Sequence, residues 1–169
     1  MQSKIKIALL SIVITILALS AAAAKKKGAP MPDIKTVIEV PGATSDQLFV
    51  KANTAAVDVF VKADSVIEFS DKDAGVIKGK FFMHKVTVGG LIYDVEATIT
   101  IELKEGKVRL SFTNISSTLL GDVFAGIHRK KYPATTIDKD SKLGILVKDE
   151  LETLTKYFKQ KLSETDEDW

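Results

Sequence analysis

The chain of 169 residues has no cysteine, which excludes disulfides, thiolate metal ligands, a cysteine nucleophile and a lipoprotein-type cysteine anchor. Histidine is nearly missing too: only His84 and His128 occur. A hydrolytic triad needs a histidine beside an orienting carboxylate and a nucleophile, and neither sequence neighbourhood suggests the set. Two isolated histidines do not make a zinc pattern either. Charge of one sign is also scarce, with 24 Lys+Arg against 22 Asp+Glu. Lys4 and Lys6 lie in the first 24 residues, which hold no acid, so the remaining 145 residues balance at 22 against 22. A neutral remainder has no global field for collecting nucleic acid. These absences predict a non-enzymatic protein with no cofactor, no metal and no nucleic-acid partner.

What is present begins with residues 1–24, which read as an export signal. Two lysines precede an apolar run over residues 7–19, and Ser20 and four alanines then supply small residues for cleavage after Ala23 or Ala24. The reading places the protein in the periplasm or cell envelope. The alternative retains residues 5–24 as an inner-membrane anchor, since 20 residues are about enough to span a bilayer. Membrane association is expected only in that case. The strongly apolar part is short, as in a signal peptide, and Lys25, Lys26 and Lys27 behind it give no orientation signal.

The other 145 residues suffice for one domain without disulfides or metal. Residues 25–33 read as a flexible linker: three lysines, then Gly28, Pro30 and Pro32 without periodicity. A first strand over residues 34–40 stops at Pro41-Gly42. Thr44 and Gln47 have capping-box spacing, and Leu48, Phe49, Ala52, Ala55, Ala56, Val59 and Phe60 then recur at helical steps. Afterwards the period becomes 2. Strands are predicted over residues 65–70 and 76–83, separated by the turn at residues 71–75. The clearest strand follows, where Tyr93, Val95, Ala97, Ile99, Ile101 and Leu103 alternate with Asp94, Glu96, Thr98, Thr100 and Glu102. Another covers residues 108–113, and residues 114–142 look irregular. A second amphipathic helix starts near Leu143 with Val147, Leu151, Leu154, Phe158 and Leu162 inward. Residues 164–169 form an acidic tail. The fold class is therefore α+β in two layers. A curved antiparallel sheet in the order β-α-β-β-β-β-α packs both helices on one face, in one domain over residues 34–163.

From about residue 34 to residue 114 the chain resembles a bacterial domain-of-unknown-function family with a TATA-box-binding-protein-like fold. The matching pieces are Val40-Pro41-Gly42, the helix start from Thr44 to Phe49, Ser65-Val66-Ile67, the turn at residues 71–75, residues 77–80, and the hairpin at residues 104–109. They are structural punctuation and say almost nothing of activity. The resemblance implies an uncharacterised exported protein. It also implies a tryptophan in the first helix where this chain has Ala55, so a cavity or another filling aromatic is expected there.

Two aspartate pairs fail as calcium loops. After Asp71, Asp73 and Gly75, the positions for glycine and glutamate hold Val76 and Phe82, while Asp138 and Asp140 are followed by Lys142. Both pairs read as turn or cap residues. His128-Arg129-Lys130-Lys131-Tyr132 is the one basic cluster with an aromatic in the folded part. It is either a solvated loop or a contact for anionic headgroups or an acidic glycan. Residues 119–127 are apolar for a loop, either packing over an edge or forming a rim. Phe124, Ile127, His128, Arg129, Lys130 and Tyr132 are the candidate rim, and Ala52, Ala55, Ala56 and Tyr93 are the candidate lining of an apolar cavity. The expected function is binding of a small apolar ligand, lipid or envelope partner. The alternative is a structural or assembly component of the envelope acting through protein contacts.

Overall fold

The computed structural model describes residues 28–60, 66–124, 126–127 and 132–164. The segment read as an export signal lies outside these residues. The elements are β1 (Ile34–Glu39), α1 (Ser45–Phe60), β2 (Val66–Asp71), β3 (Val76–Val88), β4 (Leu91–Lys104), β5 (Lys107–Asp122), β6 (Gly126–Ile127), β7 (Thr135–Thr136) and α2 (Lys142–Ser163). One antiparallel sheet has the order β1-β5-β4-β3-β2, and the two short strands β6 and β7 also pair with β5. The α+β arrangement read from the periodicity is the one observed.

Local chemistry sets the helix ends. At the start of α1, the Gln47 N–H donates to Thr44 Oγ1 at 3.3 Å and the Thr44 N–H donates to Gln47 Oε1 at 3.0 Å, the reciprocal capping box. Ser141 caps α2 by accepting from the Gly144 N–H at 3.0 Å. Gly144 is required by close approach: a Cβ there would stand 2.2 Å from the Asp138 carbonyl oxygen. The turn pairs behave as expected of turns. Asp71 Oδ1 accepts from the Ala74 N–H and Asp138 Oδ1 from the Asp140 N–H.

The helices bury Leu48, Ala52, Ala56, Val147, Leu151 and Phe158 against the inward face of the strands. Phe60 is the keystone. Its ring stacks on Phe158 at 5.8 Å and meets Phe112 edge-on at 6.2 Å, and Phe112 continues to Phe81 at 6.3 Å. This aromatic row runs from the helix layer into the sheet and fills the middle of the domain.

Three sequence expectations change. Residues 28–33, read as a flexible linker, are tied to the chain ahead of α2: Pro30 bridges Asp138, and the Met31 N–H donates to the Ile137 oxygen at 2.8 Å. Backbone pairing supplies order where side-chain periodicity offers none. The strand expected to stop at Met83 runs on to Val88, and the one expected to stop at Thr113 runs on to Asp122. Both continue through bulges, where Lys85 (φ 54°) and Asn114 (φ 53°) shift the pairing. On β5 the buried positions move from Val108, Leu110 and Phe112 to Ile115 and Ser117, so the period-2 pattern changes phase and disappears from a simple reading.

Candidate functional site

The longest strands, β4 and β5, meet β3 at a tip made of two turns. Leu91 starts β4 opposite both Val88 and Asp122. The Val123 N–H donates to the Gly90 oxygen at 2.9 Å, and the Phe124 N–H donates to Asp122 Oδ1 at 3.0 Å. β6 then returns beside the end of β5, with Gly126 opposite Asp122 at φ +79°. The segment read as an apolar loop is thus a short hairpin. On this fixed backbone Phe124 is 97% exposed, Val123 51% and Leu91 39%. A phenylalanine held wholly in water forgoes about 2 kcal/mol of burial.

Of the candidate rim residues, Phe124 stands at the apex of this turn and Tyr132 is exposed farther along the chain. The Ile127 backbone lies in β6. His128, Arg129 and Lys130 lie outside the described residues. Sequence reasoning did not single out Leu91 and Val123; their signal was the Gly89-Gly90 turn, which the tip shares.

The candidate cavity residues fall in two places. Ala52 and Ala56 are fully buried in the core, and the rings of Phe60, Phe112 and Phe158 occupy the neighbouring interior. Ala55 is buried in the same core, 2% exposed, and lies under an open groove of about 830 Å³ between α1, the turn after β1 and the end of α2, with Val40, Pro41, Val50, Asp58 and Lys161. Tyr93 is half-buried in the opposite half of the sheet, paired with Val86 and Leu119. The groove rim is polar. Lys161 Nζ lies 2.8 Å from Glu164 and 3.8 Å from Asp58, and the hydrogen bond it donates to Glu164 leads the effects that hold its pKa above the ordinary lysine value.

His84 stands at the β3 bulge, its Nδ1 3.3 Å from Asp94 Oδ1, which also accepts the Lys85 N–H at 3.0 Å. Its ring stacks on Phe82 at 5.8 Å. An orienting carboxylate is therefore present after all, brought by strand pairing from ten residues away. Among the described residues no hydroxyl is hydrogen-bonded to that ring, and no group of three or more acids or histidines could hold a metal ion.

This architecture is that of the two-layer α+β proteins with a TBP-like fold. Residues 35–118 match the family model described as a domain of unknown function, DUF4468, with TBP-like fold, so the resemblance read from the sequence holds over that span. Among the similar solved structures are two crystal structures of proteins from Bacteroidetes. A TBP-like protein from Parabacteroides distasonis shares 14% identity at a TM-score of 0.58, over 79% of this chain and 94% of that one. A DUF4468 family protein from Bacteroides ovatus shares 17% identity at a TM-score of 0.51, over 81% and 89%. At these identities the likeness concerns the fold alone. No curated protein matches the chain.

Proposed function

We propose that the chain is an exported, non-catalytic domain that seats its tip, Leu91, Val123 and Phe124, on an anionic lipid surface of the cell envelope. The observation that supports it is Phe124: a 97% exposed aromatic on a turn fixed by one backbone hydrogen bond, from Val123 to Gly90, and one from its own N–H to the Asp122 carboxylate. Fixing the backbone lowers the ordering cost when the side chain enters an apolar medium. The sequence also places Arg129, Lys130 and Lys131 within seven residues of Phe124. Apolar residues near basic ones suit an anionic membrane interface, each basic group adding about 1 kcal/mol near the surface. Export rests on residues 1–24 and the non-catalytic reading on the lack of cysteine and of a nucleophile beside His84. Capture of a free apolar ligand is less well supported, because rings fill the interior beside Ala52 and Ala56 and the groove at Ala55 is rimmed by charges. The assembly alternative draws on edge strand β2, where Phe69 is 51% exposed.

Co-sedimentation with vesicles tests the reading. Vesicles rich in phosphatidylglycerol should bind the protein, pure phosphatidylcholine vesicles much less. Phe124→Ser should weaken binding by about 2 kcal/mol, roughly thirtyfold, with the melting temperature unchanged. Equal binding of Phe124→Ser and the parent would refute the tip as the membrane contact.

A further inference from the structure

The sheet face opposite the helices has a composition of its own. Lys35 on β1, Ser111 on β5, Thr100 on β4 and Lys78 on β3 form one row across it. At about 4.8 Å per strand, its two lysines anchor at points some 14 Å apart with two hydroxyls between them. The next row is Val37, Arg109, Glu102 and Val76, and beyond it Lys107 stands between Lys104 on β4 and Glu39 on β1. Two shallow depressions, of about 330 and 230 Å³, lie along these rows and meet at Glu102.

Two features make this more than a solvated face. Lys78, Lys104 and Lys107 make no ion pair within 4.0 Å among the described residues, although the Lys104 charge is felt at Glu102, whereas Lys35 is 3.3 Å from Asp33 and Arg109 is bonded to Glu102. Ser111 is 4% exposed, lines the larger depression, and its hydroxyl makes no hydrogen bond among the described residues. A buried hydroxyl without a partner is costly unless water or a ligand satisfies it.

We propose that this open face binds a linear acidic polysaccharide, with ligand carboxylates at Lys78, Lys104 and Lys107 and ligand hydroxyls at Ser111 and Glu102. The mixture of charges favours this ligand over a nucleic acid. Glu102 in the middle of the cations repels an unbroken row of phosphates but accepts hydrogen bonds from sugar hydroxyls. No aromatic side chain lines either depression; the row ends on β2 at the half-exposed Phe69 opposite Lys78, a single ring that can stack on a sugar face but gives no successive platform for bases. The site is separate from the tip and does not depend on it.

The test uses the full chain with polygalacturonate as probe, uncharged dextran as the neutral polymer and duplex DNA as the all-phosphate polymer. Polygalacturonate should bind and weaken with added salt, and dextran should not bind. The double variant Lys78→Glu/Lys104→Glu should lose roughly tenfold or more in affinity. Ser111→Val should lose roughly threefold or more. Phe124→Ser should bind polygalacturonate like the parent. Melting temperatures confirm that each variant is folded; should Ser111→Val fail to fold, the charge variant, which lies on the surface, decides alone. No binding of polygalacturonate, tighter binding of DNA, or undiminished binding by either folded variant of the face would overturn the proposal.

Discussion

The two faces of the central strands are made by one alternation yet answer to different demands. On β4, Val95, Ala97, Ile99 and Ile101 point to the helices and are almost wholly buried, while Glu96, Thr98, Thr100 and Glu102 on the same backbone meet water. The covered face is constrained by volume, because close-packed rings leave no slack. The open face is constrained by charge, and only by the groups within a few ångströms. A substitution should thus be felt through packing on one side and through binding on the other.

The largest effect is expected in the aromatic row. Phe112 touches both Phe60 and Phe81, so Phe112→Ala leaves a void that neither helix nor sheet can close and should cost about 3–5 kcal/mol. Thr100→Ala, on the neighbouring strand but the open face, should stay within about 0.5 kcal/mol. Urea unfolding of the two variants measures the contrast directly. Similar losses for both would mean that the open face is also packed, and the comparison would break.

A middle-sized effect separates local propensity from tertiary contact. Alanine is favoured over glycine inside a helix by about 1 kcal/mol. At position 144 the reverse is expected, because the new methyl would press on the Asp138 and Lys139 carbonyl oxygens. Gly144→Ala should therefore destabilise by about 1–3 kcal/mol in thermal unfolding, as overpacking does. A gain in stability would show that the segment before α2 yields easily.

Legibility in the sequence followed the same division. The covered face could be read because burial imposes a period, and both helices and the residue 93–103 strand followed from it. The capping box at Thr44 and Gln47 was visible because its partners are three residues apart. What escaped depends on long-range placement. The bulges at Lys85 and Asn114 change the phase of the alternation, so the far halves of β3 and β5 looked irregular. The tip needs Gly90 beside Val123, and the His84–Asp94 pair needs a hairpin. The basic rows were hidden more deeply, since Lys35, Lys78 and Lys107 come from three distant stretches and gather only through strand order.

The smallest effect sharpens the comparison by asking what a charge pair on the open face contributes. The hydrogen bond from Arg109 is the leading cause that holds the Glu102 carboxyl below its ordinary range, with the Arg109, Lys104 and Lys35 charges adding to it and partial burial opposing it. A carboxyl whose pKa is depressed in the folded state contributes stability above its unfolded pKa and loses it as the pH falls through the folded one. The advantage of the parent over Glu102→Gln should therefore be present at neutral pH and disappear in acid below the ordinary glutamate range. Both side chains are more than a third exposed, so solvent screens most of the attraction and the difference should be slight. Added salt should reduce it further, whereas the loss in Phe112→Ala should not shrink with salt. Unfolding of the three proteins at neutral and acid pH, with and without salt, distinguishes these behaviours. A Glu102→Gln deficit that survives both acid and salt would mean that Glu102 acts through packing, and the open face would then obey the rule of the covered one.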